Sequence, residues 1–466
     1  MCGIFGIYAP ERDVARIAHF GLLALQHRGQ ESAGIAVSDD GHLMVLRDMG
    51  LVAQVFSEDK LRGLAGQAAI GHTRYSTTGS TMWTNAQPNV QHGNGRAVAL
   101  GHNGNLTNTA ELREALVAAG ARLRSTSDTE VIAALVARDE RPLEEAVAAT
   151  MAKLEGAYAI ALLSEGKLVG FRDPDGIRPL ALGRLDGDWL LASESCAFDL
   201  LGAELVREVG PGELVVIDGD GCRSVQALEP KGKGALCIFE LIYFARPDTT
   251  LAGVELHGAR VRMGERLARE APVEADVVMP IPDSGTPAAI GFARASGIPY
   301  NEGLIKNRYV GRTFIQPDQT LREQGIRAKF NPLGELAGQR VVIVDDSIVR
   351  GSTTRKIVAM LFESGATEVH VRISSPPIVS PCFYGIDMAT EGELVAAART
   401  VDEIRDLLGA TSLSYLSLEG LQEATARPEG TFCRACLTRE YPTRIPANGE
   451  LAKLRFEHRP VEPVST

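Results

Sequence analysis

Residues 339–365 read QRVVIVDDSIVRGSTTRKIVAMLFESG. The apolar run VVIV predicts a strand, and it stops at two carboxylates, Asp345 and Asp346. A Gly/Ser/Thr loop follows and opens a helix. The same order recurs around it. ADVVMPIPDSG (275–285) is a strand entering a Pro/Gly loop, TPAAIGFARASG (286–297) is a helix, and ATEVHVRISSPP (366–377) is a strand. This β-α-β alternation implies a parallel sheet with helices on its faces, and ligands on such sheets sit beyond the carboxyl ends of the strands.

Those strand ends carry the chemistry. Backbone N–H groups, the hydroxyls of Ser352, Thr353 and Thr354, and a helix N-terminus together make an anion site. Asp345 and Asp346 suit a ribose diol or a divalent cation. The plain structural alternative is a buried strand whose aspartates cap the next helix.

Upstream of about residue 218 the chain is β-rich with a few helices. MCGIFGIYAP (1–10) opens with a strand, 14–27 forms a helix, and 35–47 forms a hairpin with Asp40-Gly41 in its turn. AAIGHTRYS and AVALGHNGNL are strands with polar ends. STSDTEVIAALVA starts a helix in which Ser127 and Glu130 fit a capping box. Residues 218–234, rich in Gly, Asp and Lys, read as a boundary. The expected units are 2–234, 235–420 and a tail, 421–466.

A length of 466 residues suits two or three domains, and 45% apolar residues can fill more than one core. A net charge of −11 argues against nucleic acid and anionic membranes as partners. There is no basic, apolar leader, nor an apolar run long enough to span a bilayer. Seven scattered cysteines do not make a secreted disulfide scaffold. The expectation is a cytoplasmic protein whose thiols serve chemistry or metal.

Cys2 follows the initiator methionine. A thiol attacks as thiolate, so a base must take its proton. Once Met1 is removed, the α-amine of Cys2 lies on the same residue and can serve. The alternative is a buried strand cysteine. Other strand ends supply partners for the first reading. Arg74 offers a fork for a carboxylate. Asn103 and Gly104 offer an amide and a backbone N–H for an oxyanion. Asp128 can hold an ammonium, or simply face a helix dipole. Together these groups suit a zwitterionic amino acid whose side-chain amide is attacked.

The segments MCGIFGI, LQHRGQESAGIA, GHTRYST, GHNGNLTN and STSDTE resemble the glutaminase domain of the N-terminal-nucleophile glutamine amidotransferases over roughly residues 2–220. The resemblance implies a four-layer αββα fold with Cys2 as nucleophile and Asn103 and Gly104 as the oxyanion hole. It implies Arg74 and Asp128 as binders of the glutamine α-groups, with Gly29 lining the pocket. VVIVDDSIVRGSTT resembles the phosphoribosyl pyrophosphate (PRPP) motif of type I phosphoribosyltransferases, a parallel sheet flanked by helices. That likeness assigns Asp345, Asp346, Ser347, Arg350, Gly351, Ser352, Thr353 and Thr354 to PRPP. Asp283, Ser284 and Gly285 fall where the pyrophosphate loop is expected, and Mg²⁺ is expected on Ser284, Asp345 and Asp346. Residues 306–331 are similar to the lid of that fold, with Lys306, Arg308, Arg312 and Lys329 facing pyrophosphate.

Glutaminase first and phosphoribosyltransferase second is the order of the amidophosphoribosyltransferases. RDPDGIRPLALG (172–183) and SESCAFD (193–199) are similar to the same family. The implied reaction converts glutamine, PRPP and water to 5-phosphoribosylamine, glutamate and diphosphate, opening purine synthesis. An internal ammonia passage, inhibition by AMP- and GMP-type nucleotides, and a homotetramer are implied with it. The different-class alternative is a non-catalytic PRPP or nucleotide sensor on the same folds.

Cys237, Cys382, Cys433 and Cys436 can form a tetrathiolate site. Their dispersed spacing favours zinc, whereas the family resemblance implies a structural [4Fe–4S] cluster. Cys196 and Cys222 read as ordinary small residues. Many cluster-bearing members carry a short propeptide before the nucleophile; none is expected here, so removal of Met1 alone is expected to suffice.

Overall fold

Strand alternation sets the layers of the first half. In Gly3–Tyr8, Phe5 and Ile7 pack on the helix Val14–Ala24, while Ile4 faces a second sheet. In Gly156–Ser164, Tyr158, Ile160 and Leu162 meet the helices Asp128–Arg138 and Leu143–Met151. Ala159, Ala161 and Leu163 of that strand face back towards Ile4, Ala36 and Ile70. Period-2 side chains thus feed three stacked cores and give helix, sheet, sheet, helix.

The computed structural model describes residues 1–76, 79–309, 327–388 and 390–445. The first sheet has seven antiparallel strands in the order Glu204–Glu208, Ala181–Leu185, Asp188–Ala192, Gly3–Tyr8, Ala68–Arg74, Ser32–Asp39, His42–Met49. The second has six, in the order Gly221–Gln226, Glu213–Asp218, Lys167–Arg172, Gly156–Ser164, Arg96–Leu106, Asn89–Gly93. The expected hairpin turn is present, with Asp40 at φ 45° and Gly41 at φ 85°.

Two local expectations change. Gly221–Gln226 lies inside the segment read as a boundary, yet it pairs as an edge strand. Its outer residues are exposed, so it carries no apolar signal. The capping box at Ser127 does not close. Ser127 Oγ accepts the Thr129 N–H, but Glu130 accepts the N–H groups of Arg124 and Ser125 instead.

The second half is the expected parallel sheet, ordered Val277–Pro280, Arg340–Asp345, Glu368–Ile373, Ser412–Tyr415. The helices Leu256–Glu270 and Thr286–Ser296 cross beside it at two glycines. A Cβ on Gly264 would lie 1.8 Å from the Ala288 carbonyl oxygen, and one on Gly291 would lie 1.9 Å from that of Val261. Backbone meets backbone at both points, so no side chain can move aside. The chain then returns to the joint between the halves, where Phe432–Cys433 pairs in parallel with Leu236–Cys237. No helix among the described residues is long and apolar enough to cross a membrane.

A buried guanidinium fastens the joint. Arg28 is bidentate to Glu240 at 2.8 and 3.0 Å and also bonds Glu194. All three side chains are fully buried. Burial opposes the charge on Arg28, but Glu240 and Glu194 more than offset it and raise its pKa.

Glu240→Ala leaves that cation short of an anion, and a loss of about 3–5 kcal/mol is expected from breaking a buried pair on one side. Gly264→Ala overpacks the helix crossing and is expected to cost about 1–3 kcal/mol. Denaturant midpoints of the two variants against the parent protein check both.

Candidate functional site

The first cluster gathers around Cys2, at the start of a central strand. Asn103 lies in Arg96–Leu106, in the facing sheet, and its Oδ1 accepts the Cys2 backbone N–H at 3.1 Å. The thiol points to the Tyr75 carbonyl oxygen at 3.6 Å. Arg28 Nε donates to the Cys2 carbonyl oxygen at 2.9 Å. Asn103 is completely buried, and among the described residues its Nδ2 has no hydrogen-bond partner. A buried amide N–H without an acceptor is costly, so its presence beside a thiol marks a place for an incoming oxygen. Gly104 follows with φ 147°, and a Cβ there would lie 2.0 Å from the Ala157 carbonyl oxygen.

The other predicted residues surround this centre. A Cβ on Gly29 would meet the backbone of Thr73 and Arg74 at 2.6 Å, so only glycine lets these segments touch. Arg74 is buried, donates to the carbonyls of Ser80 and Gly79 at 3.1 and 3.4 Å, and lies 3.5 Å from Glu31. Asp128 begins its helix, accepts the Leu106 N–H at 3.1 Å, and lies 3.5 Å from His102 Nδ1. Burial works against both charges of that pair. Their mutual attraction nevertheless raises the His102 pKa and lowers that of Asp128. Neighbouring His72 is pushed down to about 3 by burial and stays neutral.

The second cluster forms at the carboxyl ends of the parallel strands. Asp345 ends its strand, and its Oδ1 accepts the Asp346 N–H at 2.9 Å. Asp346 is buried and is hydrogen-bonded by the hydroxyls of Ser347 and Ser284. Burial, and then Asp346, push the Asp345 carboxyl well up, and burial raises Asp346 too. Such a pair gains from a divalent cation, and Mg²⁺ commonly takes one or two carboxylates plus phosphate oxygens. Gly351, at φ 75°, caps the helix Ser352–Glu363. Ser352 and Thr353 are exposed at its start and Thr354 is buried. Arg350 pairs with Glu393 at 2.9 Å.

Gly285 caps the helix Thr286–Ser296 and lies so close to the central strand that its Cβ would be 2.3 Å from the Val344 carbonyl oxygen. Lys306 pairs with Asp283 at 2.5 Å. Arg308 is exposed in the following turn, and Lys329 sits over the Phe330 ring at 5.4 Å. Arg312 and most of the lid segment lie outside the described residues. Leu304–Lys306 and Phe330–Pro332, which flank it, pair antiparallel.

The third cluster is the thiols. Cys237 and Cys433 face each other in the parallel ladder. The Cys436 carbonyl accepts the Val379 and Ser380 N–H groups at 2.9 and 3.2 Å, which brings the Cys382 loop alongside. All four are buried and none is in a disulfide. The Tyr384 N–H donates to the Cys382 sulfur at 3.4 Å. Burial, then the other three thiols, push the Cys436 thiol well up, and the four sulfurs therefore lie within mutual electrostatic reach. Among the described residues, no three His, Cys, Asp or Glu side chains converge on one point as a single-ion site. Four soft, buried donors free of disulfides still fit a thiophilic group that spreads its ligands apart.

Arg28, Glu194, Glu240, Arg178 and His102 were not singled out in the sequence. SESC and DGIRP carried Glu194 and Arg178 in plain view, but only the fold brings them to Cys2 and to the thiols.

Comparison with known proteins accords with this arrangement. The glutamine amidotransferase domain family matches residues 72–199, and the phosphoribosyl transferase domain family matches 260–374. The amidophosphoribosyltransferase of Mycobacterium tuberculosis is 50% identical over 471 residues, covering 98% of this chain and 89% of its own. That of Archaeoglobus fulgidus is 50% identical over 453 residues, covering 96% and 99%. Among solved structures, the Bacillus subtilis glutamine PRPP amidotransferase complexed with ADP and GMP superposes with a TM-score of 0.90 at 47% identity, covering 96% and 98%. The allosteric regulatory enzyme of purine biosynthesis superposes with a TM-score of 0.92, also at 47%, covering 97% and 98%. With both halves matched in order and nearly the whole length aligned, the chain belongs to the amidophosphoribosyltransferase family, enzymes of the first step of purine biosynthesis.

Proposed function

We propose that Cys2, once Met1 is removed, splits glutamine, and that the ammonia released displaces diphosphate from PRPP in the second half of the same chain. The observation that carries the first step is the Asn103 side chain, whose oxygen holds the Cys2 nitrogen while its buried NH₂ lacks an acceptor among the described residues. An oxyanion formed by thiolate attack on the glutamine amide satisfies that group and the Gly104 N–H together. The α-amine of Cys2 takes the thiol proton and passes it to the departing nitrogen. Ammonia leaves, and water hydrolyses the γ-glutamyl thioester to glutamate.

Arg74 and Asp128 hold the α-carboxylate and α-ammonium of glutamine. Arg74 donates to loop carbonyls in the free protein, and exchanging them for a carboxylate gives stronger, charge-assisted bonds. Asp128 likewise exchanges His102 for the substrate ammonium.

In the second half, the ribose of PRPP lies on Asp345 and Asp346 and its 5′-phosphate on Gly351–Thr354, with Ser347 and Arg350 beside them. The pyrophosphate lies on Asp283, Ser284 and Gly285, with Lys306, Arg308, Arg312 and Lys329 closing over it. Mg²⁺ on Asp345, Asp346 and Ser284 would neutralise pyrophosphate and aid its departure. The raised pKa values of the two aspartates support a site completed by a cation. Uncharged ammonia attacks the anomeric carbon, and an internal passage keeps it from being protonated or diluted.

Cys237, Cys382, Cys433 and Cys436 would hold a [4Fe–4S] cluster whose contribution is structural, tying the C-terminal segment to both halves. Four buried, soft donors without disulfides support a thiolate-bound group there. We divide the chain at 234/235 and 420/421, and assign it to the cytoplasm as a homotetramer inhibited by AMP- and GMP-type nucleotides. The ADP and GMP complex of the Bacillus relative supports nucleotide binding.

Cys2→Ser is expected to lower glutamine-dependent glutamate release by more than about 10³-fold while ammonia-dependent phosphoribosylamine synthesis persists. Parallel assays with glutamine and with ammonium chloride check this, and loss of both activities would refute the division of labour. Anaerobic preparations are expected to contain about four irons per chain, and Cys433→Ser to lose most of them, by iron and sulfide analysis.

A further inference from the structure

The loop carrying Cys382 belongs to the second half, yet it lies on the strand of Asn103 and Gly104. Phe383 and Gly385 touch that strand, and Tyr384 between them is held by Arg178 beside it. The Phe383 carbonyl oxygen accepts from Asn105 Nδ2 at 3.0 Å. The Tyr384 carbonyl oxygen accepts from Arg178 Nε and Nη2 at 2.8 and 2.6 Å. Gly385, at φ 106°, sits so close that its Cβ would lie 3.0 Å from the Gly104 carbonyl carbon and oxygen. Phe383, Tyr384, Asn105 and Arg178 are all at most 2% exposed.

These contacts press on the Cα and carbonyl of Gly104 and hold that residue from its C-terminal side; its N–H lies in the preceding peptide, shared with Asn103, and takes its direction from how Gly104 is held. On its other side, Gly104 is confined by the Ala157 carbonyl. A glycine at φ 147° has wide conformational freedom, so its N–H keeps one direction only if neighbours hold it. Asn105, the next residue, is the link, because its side chain bonds the loop while its backbone continues the strand.

We propose that Asn105 and Gly385 are positioning residues for amide hydrolysis, seating the 383–385 loop on Gly104 so that its N–H is aimed at the oxyanion. The glutaminase site is then completed by the second half of the chain. This rests on the reading of Asn103 and Gly104 as oxyanion donors.

The test uses the whole chain, anaerobically prepared. Asn105→Ala and Gly385→Ala are expected to lower the glutaminase kcat by about 10- to 100-fold, the range for a misplaced catalytic group. KM for glutamine should stay within about twofold, because the α-group binders are untouched. Ammonia-dependent synthesis should remain that of the parent, while the thermal midpoint falls modestly in both, because Asn105→Ala strips a buried hydrogen bond and Gly385→Ala strains a backbone at φ 106°. Asn103→Ala is the control for the underlying reading. If Asn103→Ala lowers kcat and Asn105→Ala does not, the positioning proposal fails alone. If Asn103→Ala leaves kcat intact, the oxyanion reading fails and takes the proposal with it. If ammonia-dependent synthesis falls in parallel with glutaminase activity in Asn105→Ala and Gly385→Ala, the contact is merely structural and the proposal is overturned.

Discussion

A guanidinium with no water around it must keep its anions, and Arg28 is in that position. Glu194 comes from the first half of the chain and Glu240 from the segment that starts the second. Its Nε goes to the Cys2 carbonyl. One buried charge therefore fixes the angle of Cys2 and the closure of the joint together. Separating the halves would strand that charge, at a cost of several kcal/mol. Glu194 is anchored in turn by His27, the Arg246 N–H and the Thr249 hydroxyl, so the clamp has little slack.

The two polar clusters are built differently. The Cys2 cluster lies between two antiparallel sheets, where buried side chains from facing strands meet. Its surroundings suit a neutral amide whose charge appears only in the transition state. The Asp345 cluster lies at open strand ends, with a helix N-terminus and two destabilised carboxyls, and suits a highly charged ligand that brings its own counter-ion. Of the four thiols only Cys237 lies between them in the chain; Cys382, Cys433 and Cys436 follow both, and the Cys382 loop returns to the first half.

Local chemistry was legible in the sequence. Strand–acid–acid–loop–helix gave the parallel sheet and its ligand end, because that unit is built from neighbours in the chain. Cys2, Asn103 and Gly104 stood out because each lies near a strand end, and Asp128 because it opens a helix with a polar group; the fold brings them together. The clamp was not, because Arg28 lies 166 residues from Glu194 and 212 from Glu240, and nothing local marks the pairing. Glu130 misled for a related reason. Its spacing from Ser127 fits a box, but the incoming loop offered two N–H groups in a better direction. Gly264 and Gly291 looked like ordinary helix residues, since their role depends on a partner helix.

The ladder joining Leu236–Cys237 to Phe432–Cys433 also orders events during synthesis. A ribosome emits the first of these thiols nearly two hundred residues before the last two. The first half can collapse on its own sheets in the meantime, but its exit segment stays unpaired until the final stretch arrives. A nascent chain released early would therefore expose unsatisfied strand edges and loose thiols to the cell's quality-control proteases.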